Sequence, residues 1–282
     1  MTKQNTAHEP HTTLIRNALI VNEDTRQASD ILIRNGRIER IDTSITPPAG
    51  AEEFDAQGQF LLPGMIDDQV HFREPGLDRK GNLATESAAA VIGGITSFME
   101  MPNTQPPTTI RQELTAKYER AHGRCSANYA FYFGASNDNI EEIRALRPDE
   151  AAGIKIFMGA STGNMLVDNE ETLELIFRDA PCLIATHCED TPRIQENTLA
   201  AKSKYGANIP PSAHPEIRDT EACYRSSSLA VELARRHTAK LHVLHLTTAK
   251  EMALFQPGPI EDKLITAAVS YTHLRAHETL PY

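Results

Sequence analysis

The stretch GIKIFMGASTGNMLVDNEETLELIFRDAPCLIATH, residues 153–187, decides the fold. Its two ends, 153–158 and 182–187, are short apolar runs of strand length, and 169–179 between them reads as a helix. Strand, helix, strand in that order is the repeating unit of a parallel sheet. The same alternation extends both ways. Strands are expected at 60–72, 95–101, 128–133, 241–246 and 263–267, and helices at 84–91, 109–122, 140–146, 220–237 and 249–255. A polar loop is expected to run through Pro210-Pro211 to the long helix at 220.

The residues with chemistry to offer, His71, Asn103, Lys155, His187 and His245, sit at or near strand ends. A (β/α)8 barrel builds its active site at the C-terminal ends of its strands. An open doubly wound sheet would carry a glycine-rich phosphate loop after its first strand, and this sequence has none. The expected fold is therefore α/β: a (β/α)8 TIM-type barrel over residues 60–268, incomplete at about seven of the usual eight strands. Residues 12–59 read differently, as a small β-sandwich module with a hairpin signal at Asn35-Gly36 and a loop at 47–50. From Val269 the chain runs VSYTHLRAHETLPY, with neither strand alternation nor a helical stripe. Residues 269–282 are read as a non-native, adapter-like tail, so His273 and His277 receive no role.

Composition excludes several classes. With 40% hydrophobic and 23% charged residues the chain can bury a core. A formal charge of -10 argues against nucleic-acid binding, which calls for a basic patch. No apolar run approaches the ~20 residues of a membrane span. The four cysteines form no C-x-x-C pair, which suits free thiols in a reducing compartment. A cytoplasmic location is expected.

A single histidine after an apolar run is more often structural than functional. Three of them, His71, His187 and His245, at the ends of strands in one parallel sheet would converge at one barrel mouth, where a divalent metal needs several ligands. His242 lies an odd number of residues from His245, so strand alternation predicts that it points the other way and is structural. Lys155 stands inside an apolar strand, where a charge is costly. It is either a snorkelling or ion-paired lysine, or one converted by carbon dioxide into an anionic carbamate.

Pro63-Gly64-Met65-Ile66-Asp67 followed by Val70-His71-Phe72-Arg73-Glu74-Pro75-Gly76 resembles the opening strand motif of the dihydroorotases in the amidohydrolase superfamily. Met101-Pro102-Asn103-Thr104 is similar to that family's second-strand motif, and 153–157 to its carboxylated-lysine strand. Thr186-His187-Cys188-Glu189-Asp190 and His245-Leu246-Thr247-Thr248-Ala249 resemble the next two metal strands. The resemblance runs in order over residues 12–268. It implies a site for one or two zinc ions built from His71, carboxylated Lys155, His187 and His245. It also implies Arg73 and Asn103 as binders of the substrate carboxylate, Arg73 through its planar donor fork. Glu74-Pro75-Gly76 is read as a turn holding the loop.

The implied reaction is the reversible interconversion of dihydroorotate and N-carbamoyl-aspartate in pyrimidine biosynthesis. Small-molecule substrates are the partners, with no nucleic acid and no membrane, and a homodimer is the assembly considered. Two departures bear on this. The family's first motif is His-x-His, and here Gln69 takes the first place; a glutamine offers only a neutral amide oxygen. The catalytic aspartate of an eighth strand would lie beyond residue 268, so the chain as given is expected to be truncated and inactive. The alternatives are a hydantoinase, dihydropyrimidinase or allantoinase, and a non-catalytic amidohydrolase-like scaffold subunit.

Overall fold

The computed structural model describes residues 11–159 and 164–269. Contacts divide the chain into two compact units between Met65 and Ile66. The first holds strands β1 (Thr12–Asn22), β2 (Thr25–Arg34), β3 (Arg37–Asp42), β4 (Glu52–Asp55) and β5 (Phe60–Leu61). They form one sheet in the order β3-β2-β1-β4, with β5 beside β1. Asn35 and Gly36 both take positive φ, 51° and 73°, the backbone that lets a two-residue turn follow the twist of β2 and β3. Leu14, Leu32 and Ile45 form its core. Asp30 is buried there but accepts from the Asn17 and Ile45 amides, each at 2.9 Å, so its charge is satisfied.

The second unit alternates strands with helices. Its strands are β6 (Met65–Val70), β7 (Ile95–Glu100), β8 (Asn128–Phe131), β9 (Phe133–Gly134), β10 (Ile154–Phe157), β11 (Ile184–His187), β12 (Leu241–Leu246) and β13 (Ile265–Val269). Its helices are α1 (Leu83–Ile92), α2 (Arg111–Ala121), α3 (Ile140–Arg144), α4 (Glu170–Asp179), α5 (Thr191–Tyr205), α6 (His214–Ile217) and α7 (Thr220–His237). Two sheets result, β6-β7-β8 and β13-β12-β11-β10-β9. The pairs from β7 to β8 and from β9 through β13 are parallel. The segment expected as one strand at 128–133 serves both sheets: Tyr132 N–H donates to the Glu100 carbonyl at 3.0 Å, and Phe133 N–H to Gly153 at 2.9 Å. Asp68 of β6 also meets His242 of β12, Oδ2 to Nε2 3.2 Å. Parallel strands in sequential order with this cross-sheet contact are consistent with part of a (β/α)8 barrel.

One side of the strands packs under the helices: Phe98, Phe131, Ile154, Ile156, Ile184 and Val243 meet Leu173, Ile176 and Phe177 of α4 and Val231 and Leu233 of α7. Each such side chain contributes about 1.5–3 kcal/mol through burial. Met101, Tyr132, Ala185 and Leu244 form a second cluster. Side-chain caps start α1, α4, α5 and α7: Asn82 accepts from Ala84 and Thr85, Asn169 from Thr172, Asp190 from Arg193 and Asp219 from Ala222.

Three sequence expectations need correction. The loop expected before residue 220 contains α5 and the short α6. Helix α5 has Asp190 as its cap and Pro192 in its first turn, but among its residues only Ala201 is fully buried, so it shows no apolar stripe to read. The helix expected at 249–255 is a 3-10 segment, Ala249–Leu254, the tighter form that short connectors take. The alternation argument for His242 also fails in its reasoning. The β12–β13 register shifts between Val243 and Leu246, and His245 adopts φ 42°, so parity is reset between the two histidines. His242 is nonetheless engaged structurally, its Nδ1 2.8 Å from Thr266 Oγ1. The reading of 269–282 as a tail falls outside the described residues except at Val269, which completes β13.

Candidate functional site

The ends of β11 and β12 bring His187 and His245 together. His187 Nδ1 lies 3.1 Å from His245 Nε2, and the rings cross edge to face. The other nitrogen of His187, Nε2, lies 2.9 Å from Glu189 Oε2. Glu189 in turn takes the Arg218 guanidinium on both carboxylate oxygens. Burial alone would raise the Glu189 carboxyl, but the bonds from His187 and Arg218 outweigh it and hold it down to about 2. Whenever the ring is neutral, a carboxylate at Nε2 takes the N–H there and leaves the Nδ1 lone pair facing His245. Burial, then the neighbouring His187 and Lys155, lower His245 to about 4, so it stays neutral at ordinary pH.

Lys155 lies in the middle of β10 with 1% of its surface exposed. Its Nζ has no hydrogen-bond partner among the described residues and lies 4.6 Å from the Phe157 ring centroid. Burial pushes the ammonium down to about 7. A substantial share of the side chain is therefore the neutral amine, the form that reacts with carbon dioxide.

His71 follows β6. Its Nδ1 lies 2.9 Å from Asn103 Oδ1. Burial and the charge of Arg73 lower it to about 4, against the bond to Asn103, which raises it. Arg73 takes the left-handed φ of 72° and its N–H donates to Glu100 Oε1 at 3.2 Å. The loop after β6 is fastened to the loop after β7 at successive points. Met101 N–H donates to Val70 and Gln105 N–H to Pro75, both at 2.9 Å. Gly76, at φ 84°, packs so closely that a Cβ would lie 2.2 Å from the Gln105 carbonyl. Glu74 is buried, accepting from Leu83 N–H at 2.9 Å and from both Arg124 Nη groups at 2.6 and 3.1 Å.

A cleft of about 800 Å³ opens over the β11 and β12 ends, with Gln69, His187, Glu189, Arg218 and His245 in its walls. His71, Arg73, Asn103 and Lys155 do not line it, and among the described residues no three His, Cys, Asp or Glu side chains converge to hold a metal ion. Sequence reading gave no role to Glu189, Arg218 or Glu100. Glu189 stands two residues past His187, a spacing that could have marked it; Arg218 carries no local signal.

The donor set nonetheless suits a divalent metal of the zinc type. Two imidazoles face each other through ring nitrogens, both His71 and His245 are held neutral, and a buried amine without a partner becomes an anionic oxygen donor on carboxylation.

Comparisons with known proteins place the chain among cyclic amidohydrolases. Residues 58–157 match the family model described as dihydro-orotase-like. A dihydroorotase of Methanosarcina acetivorans is 32% identical over 247 residues, covering 86% of this chain and 51% of that protein. The L-hydantoinase of Paenarthrobacter aurescens is 29% identical over 255 residues, 88% of this chain and 55% of its own. Allantoinases stand among the further relatives. The solved structure of L-hydantoinase (dihydropyrimidinase) from Arthrobacter aurescens superposes with a TM-score of 0.85 at 26% identity, covering 93% of this chain and 59% of that one. The chain thus spans about half the length of the curated relatives it matches. The described residues contain no helix long and apolar enough to cross a membrane.

Proposed function

We propose that this chain, related in sequence and fold to the cyclic amidohydrolases over about half of their length, carries the metal- and substrate-binding part of a dihydroorotase. The observation that carries the reading is Lys155, an amine without a hydrogen-bond partner among the described residues, buried in a parallel strand beside the strand that ends in His187. In this reading His71, carboxylated Lys155, His187 and His245 hold zinc. When bound, the metal supplies Lewis acidity toward a ring amide carbonyl and toward water.

The chain's own side chains do the rest of the work assigned here. Glu189, itself held by Arg218, keeps the His187 proton on Nε2 and so directs Nδ1 inward. Asn103 orients His71. Arg73 binds the carboxylate that dihydroorotate carries and that the rings of hydantoin and allantoin lack. Proton transfer to the leaving nitrogen is assigned to none of these side chains.

A hydantoinase is the second reading, favoured by the likeness to L-hydantoinase. The complete gene product, purified with zinc and offered dihydroorotate, hydantoin, dihydrouracil and allantoin, separates the two. Turnover of dihydroorotate with about one or more zinc ions per chain is expected. Turnover of hydantoin alone would transfer the assignment to the second reading, and a metal-free, inactive protein would leave a scaffold role.

A further inference from the structure

Beneath Arg73 lies an ion pair that no step above uses. Glu100, the last residue of β7, and Lys117, on α2, are each 1% exposed and face each other. Lys117 Nζ also donates to the Met101 carbonyl at 2.9 Å and lies 5.1 Å from the Phe131 ring centroid. Burial raises the Glu100 carboxyl and lowers the Lys117 ammonium, while the attraction between the two opposes both shifts. Such a pair is a poor device for stability, because apolar residues of the same volume serve as well or better. What the carboxylate adds is an acceptor: its Oε1 takes the N–H of Arg73. That residue holds φ 72°, a backbone region unfavourable to a side chain with a Cβ unless its surroundings impose it.

We infer that the Glu100–Lys117 pair positions Arg73, with Lys117 compensating the charge that lets Glu100 grip the Arg73 backbone and aim its guanidinium at the substrate carboxylate. This rests on the reading of Arg73 as the carboxylate-binding residue. Glu100 and Lys117 are positioning residues, since both are buried and act only through the Arg73 backbone. Their effect falls on substrate binding and leaves the chemical step alone.

The test uses the complete gene product with dihydroorotate. Glu100→Leu/Lys117→Met removes both charges and the acceptor. Its KM is expected to rise about tenfold, with kcat within about twofold of the parent, as for one lost hydrogen bond. Glu100→Gln/Lys117→Met restores a neutral acceptor at the same place and is expected to bring KM back to within about threefold. Glu100→Asp keeps the charge facing Lys117 but draws the carboxylate away from Arg73, and it carries the test if the Leu/Met variant does not fold; it too is expected to raise KM. Arg73→Met, run beside them, separates the two assignments. If Arg73→Met raises KM while Glu100→Leu/Lys117→Met, or Glu100→Asp in its place, leaves it unchanged, the positioning role is overturned and the reading of Arg73 stands. If Arg73→Met itself leaves KM unchanged, the reading of Arg73 falls and the positioning role falls with it.

Discussion

Asn103 and His71 meet through their side chains, Oδ1 to Nδ1 at 2.9 Å. The amide expected to greet a substrate carboxylate therefore holds an imidazole in this structure. A carbonyl oxygen at Nδ1 leaves Nε2 as the nitrogen with a lone pair, the arrangement of a histidine prepared to bind a metal.

The two roles for Asn103 give different outcomes on truncation. Asn103→Ala is expected to weaken zinc binding about 10- to 100-fold in chelator competition, the usual cost of losing a partner behind a ligand. If KM for dihydroorotate rises while zinc affinity is unchanged, Asn103 serves substrate alone.

Glu189 makes the corresponding contact for His187. Glu189→Gln retains an acceptor but loses the charge that holds both His187 and Arg218. A loss of zinc affinity of about tenfold or more is expected from the same competition assay. Unchanged affinity would make the carboxylate a surface partner of Arg218 only.

Lys155 makes the metal-free chain sensitive to pH. Its folded value of about 7 lies below the ordinary lysine value of 10.5. Between those limits the unfolded chain binds the extra proton, so stability rises with pH from about 7 toward about 10.5. Below about 7 both states are protonated and the full cost of the buried ammonium applies. Lys155→Met is expected to stabilise the metal-free protein at pH 7 by on the order of a few kcal/mol and to flatten that rise, read by urea denaturation across the range. A steeper rise in the variant would show that another group titrates.

Glu74 tests the loop itself. It is buried, with an amide and a guanidinium as its partners. Glu74→Ala leaves the Leu83 amide without its acceptor, while the half-exposed Arg124 turns to water, and is expected to cost roughly 1–3 kcal/mol of stability in thermal or denaturant unfolding. A loss below about 0.5 kcal/mol, the range of ordinary surface changes, would mean that the loop is held by its backbone bonds alone.

The legible parts of this molecule are those that physical pattern dictates within a few residues. Apolar runs such as 153–158 and 182–187 announced parallel strands, because strands covered on both faces need little polar alternation. Asn35-Gly36 announced its turn through two residues tolerant of positive φ. Helix α5 was not legible because it buries almost nothing, and a cap and a proline alone do not distinguish it from a loop. The β12 irregularity that turns His245 was equally hidden, since a register shift depends on the neighbouring strand. At the site, the prominence of His71, His187 and His245 came from histidines gathered at strand ends, and that of Lys155 from a charge inside an apolar strand. Glu189, Arg218, Glu100 and Lys117 were missed because a charge on a loop, on a helix or at the end of a strand reads as solvated until the partner from a distant segment is known. Lys117 stands 17 residues from Glu100 in the chain, beyond any local pattern.

Val70, Arg73, Pro75 and Gly76 are each tied to the segment 100–105, and Glu100 is tied onward to Lys117. Gene shuffling between relatives therefore has a minimum exchangeable piece here, running from the start of β6 to the end of α2. A crossover inside residues 65–121 would join one parent's arginine loop to the other parent's anchor. Crossovers on either side of that block keep a matched pair, and hybrid libraries built to trade substrate preference should place their junctions there.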